Sequence, residues 1–152
     1  IALGEPLLFD FGTTVNGYAS DITRTFSVGE PSAKMQDVYA VVKAANAAGR
    51  AAAKPGATGQ DVDRATRKVI VEAGFGDYFT HRTGHGLGLE THEPPDMVEG
   101  NLLVLEPGMT FTVEPGIYLS GEVGVRIEDN VVITVDGAES LTTFDRELRV
   151  IG

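Results

Sequence analysis

Four carboxylates and three histidines stand where ordinary packing does not account for them. Asp10 interrupts the apolar run Leu7-Leu8-Phe9-Asp10-Phe11-Gly12. An ionised carboxylate in a buried strand is costly unless it is paired or bound to a cation. Asp21, flanked by Ala19 and Ile22, falls in the following strand signal. Across a hairpin the two acids approach closely, and like charges that close need a counter-ion. Arg24 is one candidate for that role and a metal ion is the other.

The second feature is His81-Arg82-Thr83-Gly84-His85-Gly86-Leu87-Gly88, with His92 just beyond it. Histidines clustered beside glycines read as metal ligands or proton-transfer groups. A phosphate loop is another use for such a glycine run. That reading is weak here, because the GxGxxG spacing after a strand is missing and no suitable lysine follows. The third feature is a pair of glutamates, each after a β-forming apolar run: Glu114 in Thr112-Val113-Glu114-Pro115-Gly116 and Glu128 in Val125-Arg126-Ile127-Glu128-Asp129. Singly, such residues are usually solvated. Together with His85 and the two aspartates they form an oxygen-and-nitrogen ligand set suited to Mn²⁺, Co²⁺, Fe²⁺ or Zn²⁺. A Ca²⁺ protein is disfavoured by His85 and by the lack of any EF-hand loop.

Composition narrows the chemistry further. At 152 residues the chain is the size of one domain, and 42% hydrophobic with 22% charged residues is ordinary for a globular protein. The absence of cysteine excludes disulfides, thiolate zinc sites and cysteine nucleophiles. A formal charge of −10 argues against a nucleic-acid surface. No apolar run approaches the ~20 residues of a membrane helix, so no membrane partner is expected. A cytoplasmic protein is the expectation. The start, Ile1-Ala2-Leu3, has no Met, no basic region and no signal-peptide shape. A strand follows almost at once, so a piece of a longer chain is expected, with residues 1–152 forming a single truncated domain.

The elements that must hold these residues are legible in outline. Residues 7–11 read as a short buried strand and 17–28 as a second, joined by the hairpin signal Asn16-Gly17. Ser32 caps a predicted helix running to about Lys54, with Met35, Val38, Tyr39, Val42 and Ala45 on one face. Thr58 caps another, stopped at Gly74. Both read as plain amphipathic layers with no chemistry assigned. Strand signals follow near 109–114, 117–119, 123–128, 130–135 and 140–144. Strands, helices, then strands again point to an α+β layer fold.

The order of these motifs carries a resemblance. An Asp, a second Asp eleven positions on, then Gly-His-Gly, Thr-Val-Glu-Pro-Gly and Arg-Ile-Glu-Asp is similar to the pita-bread metallopeptidases, from Leu8 to about Ile133. That family includes methionine aminopeptidases, Xaa-Pro aminopeptidases and prolidases. The resemblance implies a curved, mostly antiparallel sheet with helices on its outer face. It implies two divalent metal ions, Mn²⁺ first, with Co²⁺, Zn²⁺ or Fe²⁺ as alternatives. Asp10 would chelate one, Asp21 and Glu128 would bridge both, and His85 and Glu114 would hold the other. Catalytic roles are implied for His81 and His92. Glu114 is the candidate proton shuttle, and Arg126 would orient Glu128. Two cations ~3.5–4 Å apart share and acidify a water, the nucleophile in this chemistry.

Tyr18 to Phe26, His81 to His85 and Val125 to Asp129 look like the proline-specific members. The resemblance therefore implies a peptide substrate with proline at its second position, cleaved before the proline. It is compatible with a homodimer. Methionine aminopeptidase-type activity and a non-catalytic binding module of the same fold are the alternatives. Relatives carry further structure before the first aspartate motif. Without it, the sheet is expected to have an unpaired edge and the helices an exposed apolar face.

Overall fold

The computed structural model describes residues 1–152. Its first unit is a hairpin of β1 (Pro6–Val15) and β2 (Tyr18–Val28), turned by Asn16 and Gly17. Both turn residues have positive φ, 53° and 87°. That is the geometry of a two-residue turn whose twist matches its strands. The register pairs Asp10 with Thr23 and Gly12 with Asp21. Directly opposed residues share a face, so Asp10, Gly12, Asp21 and Thr23 lie on one side. Phe9, Phe11, Ile22 and Arg24 lie on the other.

This hairpin corrects the expectation of a buried strand at 7–11. β1 is longer and has β2 as its sole neighbour, which leaves Phe9 46% and Phe11 61% exposed. The unpaired edge foreseen from sequence is therefore β1. The exposed helix face is not found: Val71 is the one large apolar helix residue that is exposed. The other large apolar residues of α1 (Ala33–Ala52) and α2 (Gly59–Glu72) are buried or partly buried. Ser32 accepts the Met35 amide at 3.1 Å and Thr58 forms a capping box with Asp61. Each satisfies donors that the first helical turn leaves free.

After a short 3-10 turn at Gly76–Tyr78 the chain builds two further sheets. The larger has the order β4 (Glu93–Met97), β3 (Gly84–Gly86), β5 (Thr110–Val113), β8 (Asp129–Ile133), β9 (Ala138–Ser140). The smaller is the hairpin of β6 (Gly116–Leu119) and β7 (Val123–Arg126). A two-residue β10 (Val150–Ile151) pairs parallel with β2. β3, β4 and β10 have no counterpart in the sequence reading. The strand expected at 140–144 lies earlier, at 138–140, and the chain bends at Leu141.

α1 packs its apolar stripe on β6 and β7, in a cluster that includes Met35, Val42, Ile117 and Val125. A second cluster joins Val62 of α2 to Phe111, Val113, Val131 and Ile133. The chain crosses between the two sheets twice, from β5 to β6 at Glu114-Pro115 and from β7 to β8 at Ile127-Glu128. Each crossing carries one of the candidate glutamates.

Candidate metal centre

All eight residues singled out from the sequence line one open cleft of about 800 Å³, between the β1–β2 hairpin and the two crossings. Asp21, His85 and Glu128 come closest together, with ligand atoms all within 4.8 Å of one another. Glu114 joins them through His85, its Oε1 lying 3.3 Å from His85 Nε2. Asp21 Oδ2 is 3.9 Å from the same nitrogen.

His85 is placed by close packing of β3. A Cβ at Gly84 would collide with the Thr112 carbonyl oxygen, and one at Gly86 with the Glu93 and Pro94 carbonyls. The glycines let β3 lie tight between β4 and β5. His85 Nδ1 is 3.0 Å from the Gly86 carbonyl oxygen and donates its proton there. Its Nε2 is therefore a lone pair directed at carboxylates. Burial holds the His85 pKa below the ordinary value, so the ring is neutral at neutral pH.

The glutamates are under strain of the opposite kind. Burial first, then the neighbouring Glu114, Asp21 and Asp10 carboxylates, push Glu128 up to about 8. The Thr23 hydroxyl, donating to Glu128 Oε2 at 2.5 Å, acts against that rise. Burial lifts Glu114 to about 7, against a hydrogen bond from Thr112 at 3.1 Å and the nearby Arg126 charge. Asp21 is also raised, by burial and then by Asp10. An imidazole lone pair facing carboxylates that repel one another is a donor set that a divalent cation satisfies. The residues fit a metal.

Asp10 departs from the sequence argument. Its side chain is 48% exposed, so burial does not compel a partner. The partner it has is Arg126, whose Nη2 donates to Asp10 Oδ2. Arg24 points from the opposite face. It donates to the Glu128 carbonyl at 2.6 Å and pairs with buried Asp129 at 2.7 Å, and so braces the backbone of the ligand strand. Asp10 and Asp21 are diagonal neighbours rather than a facing pair.

Arg126 is half-buried and no simple surface ion pair. Besides Asp10 it donates to Tyr118 Oη at 3.2 Å and to Thr23 Oγ1 at 3.1 Å, and thus reaches Glu128 through Thr23. Tyr118 in turn donates to His81 Nε2 at 2.9 Å, because His81 Nδ1 gives its proton to the Arg82 carbonyl at 2.7 Å. His92 stands exposed at the rim with its ring 4.0 Å from that of His85 and no hydrogen bond to the protein.

Sequence reasoning missed Thr23, Tyr118 and Thr112. Strand alternation puts Thr23 on the face of Asp21, which was a usable signal. Tyr118 had none short of the three-dimensional arrangement.

The sequence model of metallopeptidase family M24 matches residues 1–135. The chain belongs to metallopeptidase family M24. Among individual proteins, this M24 chain is 51% identical over 147 residues to the Xaa-Pro dipeptidase of Lactobacillus delbrueckii subsp. lactis, a match covering 97% of the chain and 40% of that protein. Among solved structures it resembles the Xaa-Pro dipeptidase from Bacillus anthracis, with 48% identity and a TM-score of 0.97 over 99% of the chain and 42% of the other. The prolidase from Pyrococcus furiosus gives 46% identity and a TM-score of 0.94 over 95% and 43%. The M24 chain thus has the pita-bread fold and spans about 40% of the length of the curated relatives it matches. No helix is long and apolar enough to cross a membrane.

Proposed function

We propose that this chain is the metal-binding part of a dinuclear metallopeptidase that cleaves the peptide bond before proline. Residues 1–152 would belong to a single catalytic domain. The observation that carries the reading is the convergence of Asp21, His85, Glu114 and Glu128, from separate elements, on the cleft that also holds Asp10, His81, His92 and Arg126. The names of the relatives support proline specificity. Asp10, Asp21, His85, Glu114 and Glu128 would hold two divalent cations, Mn²⁺ in the first instance. Such ions supply Lewis acidity and lower the pKa of a bound water.

The chain's own residues supply the rest. Glu114, with a pKa near neutrality and its Oε1 held by Thr112, can take a proton on its carboxylate and return it. His92, unbonded at the rim, is free to donate to a substrate carbonyl oxygen as negative charge develops there. His81, its Nδ1 engaged by the Arg82 carbonyl and its Nε2 by Tyr118, sets one wall of the cleft against which the peptide would lie. Arg126 fixes Asp10 and, through Thr23, Glu128. With no cysteine, folding needs no oxidising compartment, which supports a cytoplasmic protein.

The test is hydrolysis of an Xaa-Pro dipeptide and of an N-terminal Xaa-Pro peptide, with Mn²⁺ and with chelator. Proline-dependent, chelator-sensitive release of the first residue is the expected result. Turnover indifferent to proline or to chelator contradicts the reading.

A further inference from the structure

The two crossings that carry Glu114 and Glu128 lie side by side, at a place where regular strand pairing stops. Ladder pairs run from Thr110↔Val132 to Val113↔Asp129 on one side and resume at Gly116↔Arg126 on the other. Between them the backbone offers a single weak link, Ile127 N to Pro115 O at 3.4 Å. The glutamate amides are bonded to other segments, Glu114 N to Thr83 O at 2.8 Å and Glu128 N to Thr23 O at 3.1 Å, so no strong backbone bond ties the two crossings to each other.

A side chain of α1 bridges the gap. Asn46 is fully buried and its amide nitrogen donates to two carbonyls, Val113 O at 3.0 Å and Ile127 O at 3.4 Å. Each belongs to the residue immediately before a candidate glutamate. The amide orientation is determined, because Asn46 Oδ1 accepts from Arg50 Nε at 2.8 Å while its nitrogen faces two acceptors. Arg50 in turn lies 3.6 Å from Asp129, the residue after Glu128. α1 can come this close because of Gly49, one turn along. A Cβ there would sit 2.8 Å from Val113 Cγ1 and would also strike Thr66.

We propose that Asn46 is a positioning residue of the metal centre, its amide tying together the backbones that carry Glu114 and Glu128 and so setting the separation of the two carboxylates. α1 then does more than cover the sheet. The inference rests on the metal-centre reading above. Asp21 and His85 are carried on β2 and β3, to which Asn46 makes no hydrogen bond, so its loss acts on the glutamate side.

The test is Mn²⁺ binding to the purified chain, counted by calorimetry and watched by electron paramagnetic resonance for the signal of a spin-coupled pair. Asn46→Leu removes the amide at similar size, and Asn46→Asp keeps the shape but replaces the donors with oxygen. Unfolding followed by circular dichroism selects whichever variant folds. The expected result is a folded variant that binds one Mn²⁺ nearly as the parent does. It should bind the second roughly ten- to a hundredfold more weakly and lose the coupled signal. A merely structural asparagine would lower stability and leave the coupled spectrum intact, and that outcome overturns the inference alone. A parent chain that binds no Mn²⁺ overturns the metal-centre reading and this inference together.

Discussion

His85 Nε2 faces Glu114 Oε1 at 3.3 Å, a lone pair directed at a carboxylate. In the metal-free protein that contact is favourable only with a proton on the glutamate, and Glu114 at about 7 and Glu128 at about 8 can both hold one. A cation displaces these protons, because metal ligands bind deprotonated. Calorimetry of Mn²⁺ binding at pH 7, in buffers of different ionisation enthalpy, should therefore show release of about one to one and a half protons. No buffer dependence would mean that the glutamates are already ionised or are not ligands.

The same two glutamates set a pH dependence of stability. Their folded pKa values lie above the ordinary glutamate value of 4.5, so between about 4.5 and 8 the native chain holds protons the unfolded chain has lost. Their contribution falls as pH rises through that window. His81 and His85, lowered by burial, act in the other direction, but only below about 6.5. From pH 6.5 to 8.5 the glutamates decide, and urea unfolding of the metal-free chain should lose about 2 kcal/mol. With Mn²⁺ present the loss should shrink or reverse. A metal-free chain more stable at pH 8.5 than at 6.5 would contradict the assignment.

Thr23 gives a third expectation. Its hydroxyl is fully buried and donates to Glu128 Oε2 at 2.5 Å. Thr23→Val keeps the shape and removes the donor, so the Glu128 carboxylate loses an interaction that favours its charged form. The cost should be about 1–3 kcal/mol in unfolding of the metal-free chain above pH 8 and much less near pH 6. Thr23→Ser should restore most of it. An equal effect of Thr23→Val at both pH values would place the role of Thr23 in packing or in its bond to Arg126 instead.

These cases mark what could be read from sequence. The caps at Ser32 and Thr58 and the Asn16-Gly17 turn were legible because each acts within about four residues of itself. β3 was not, because Gly84-His85-Gly86 has no strand propensity of its own. It is a strand by pairing with β4 and β5, at an approach that leaves no room for a side chain at Gly84 or Gly86. β4 was hidden by Pro94 and Pro95. The order of the five candidate ligands was legible through family resemblance, although the local burial argument for Asp10 was wrong. Its strand is an exposed edge, and its charge is met by Arg126. The supports of the site were out of reach. Thr23 meets Glu128 across 105 residues, and Asn46 meets Ile127 across 81.

The central claim is that Asp10, Asp21, His85, Glu114 and Glu128 form one dinuclear site. The most direct measurement is a count of Mn²⁺ bound per chain at saturation, by equilibrium dialysis and elemental analysis, for the parent and for Glu128→Gln. Two ions on the parent, a higher unfolding temperature with Mn²⁺, and a clear loss of occupancy in Glu128→Gln are the predicted results. No bound Mn²⁺ or Co²⁺ and no thermal shift in the parent would contradict the account.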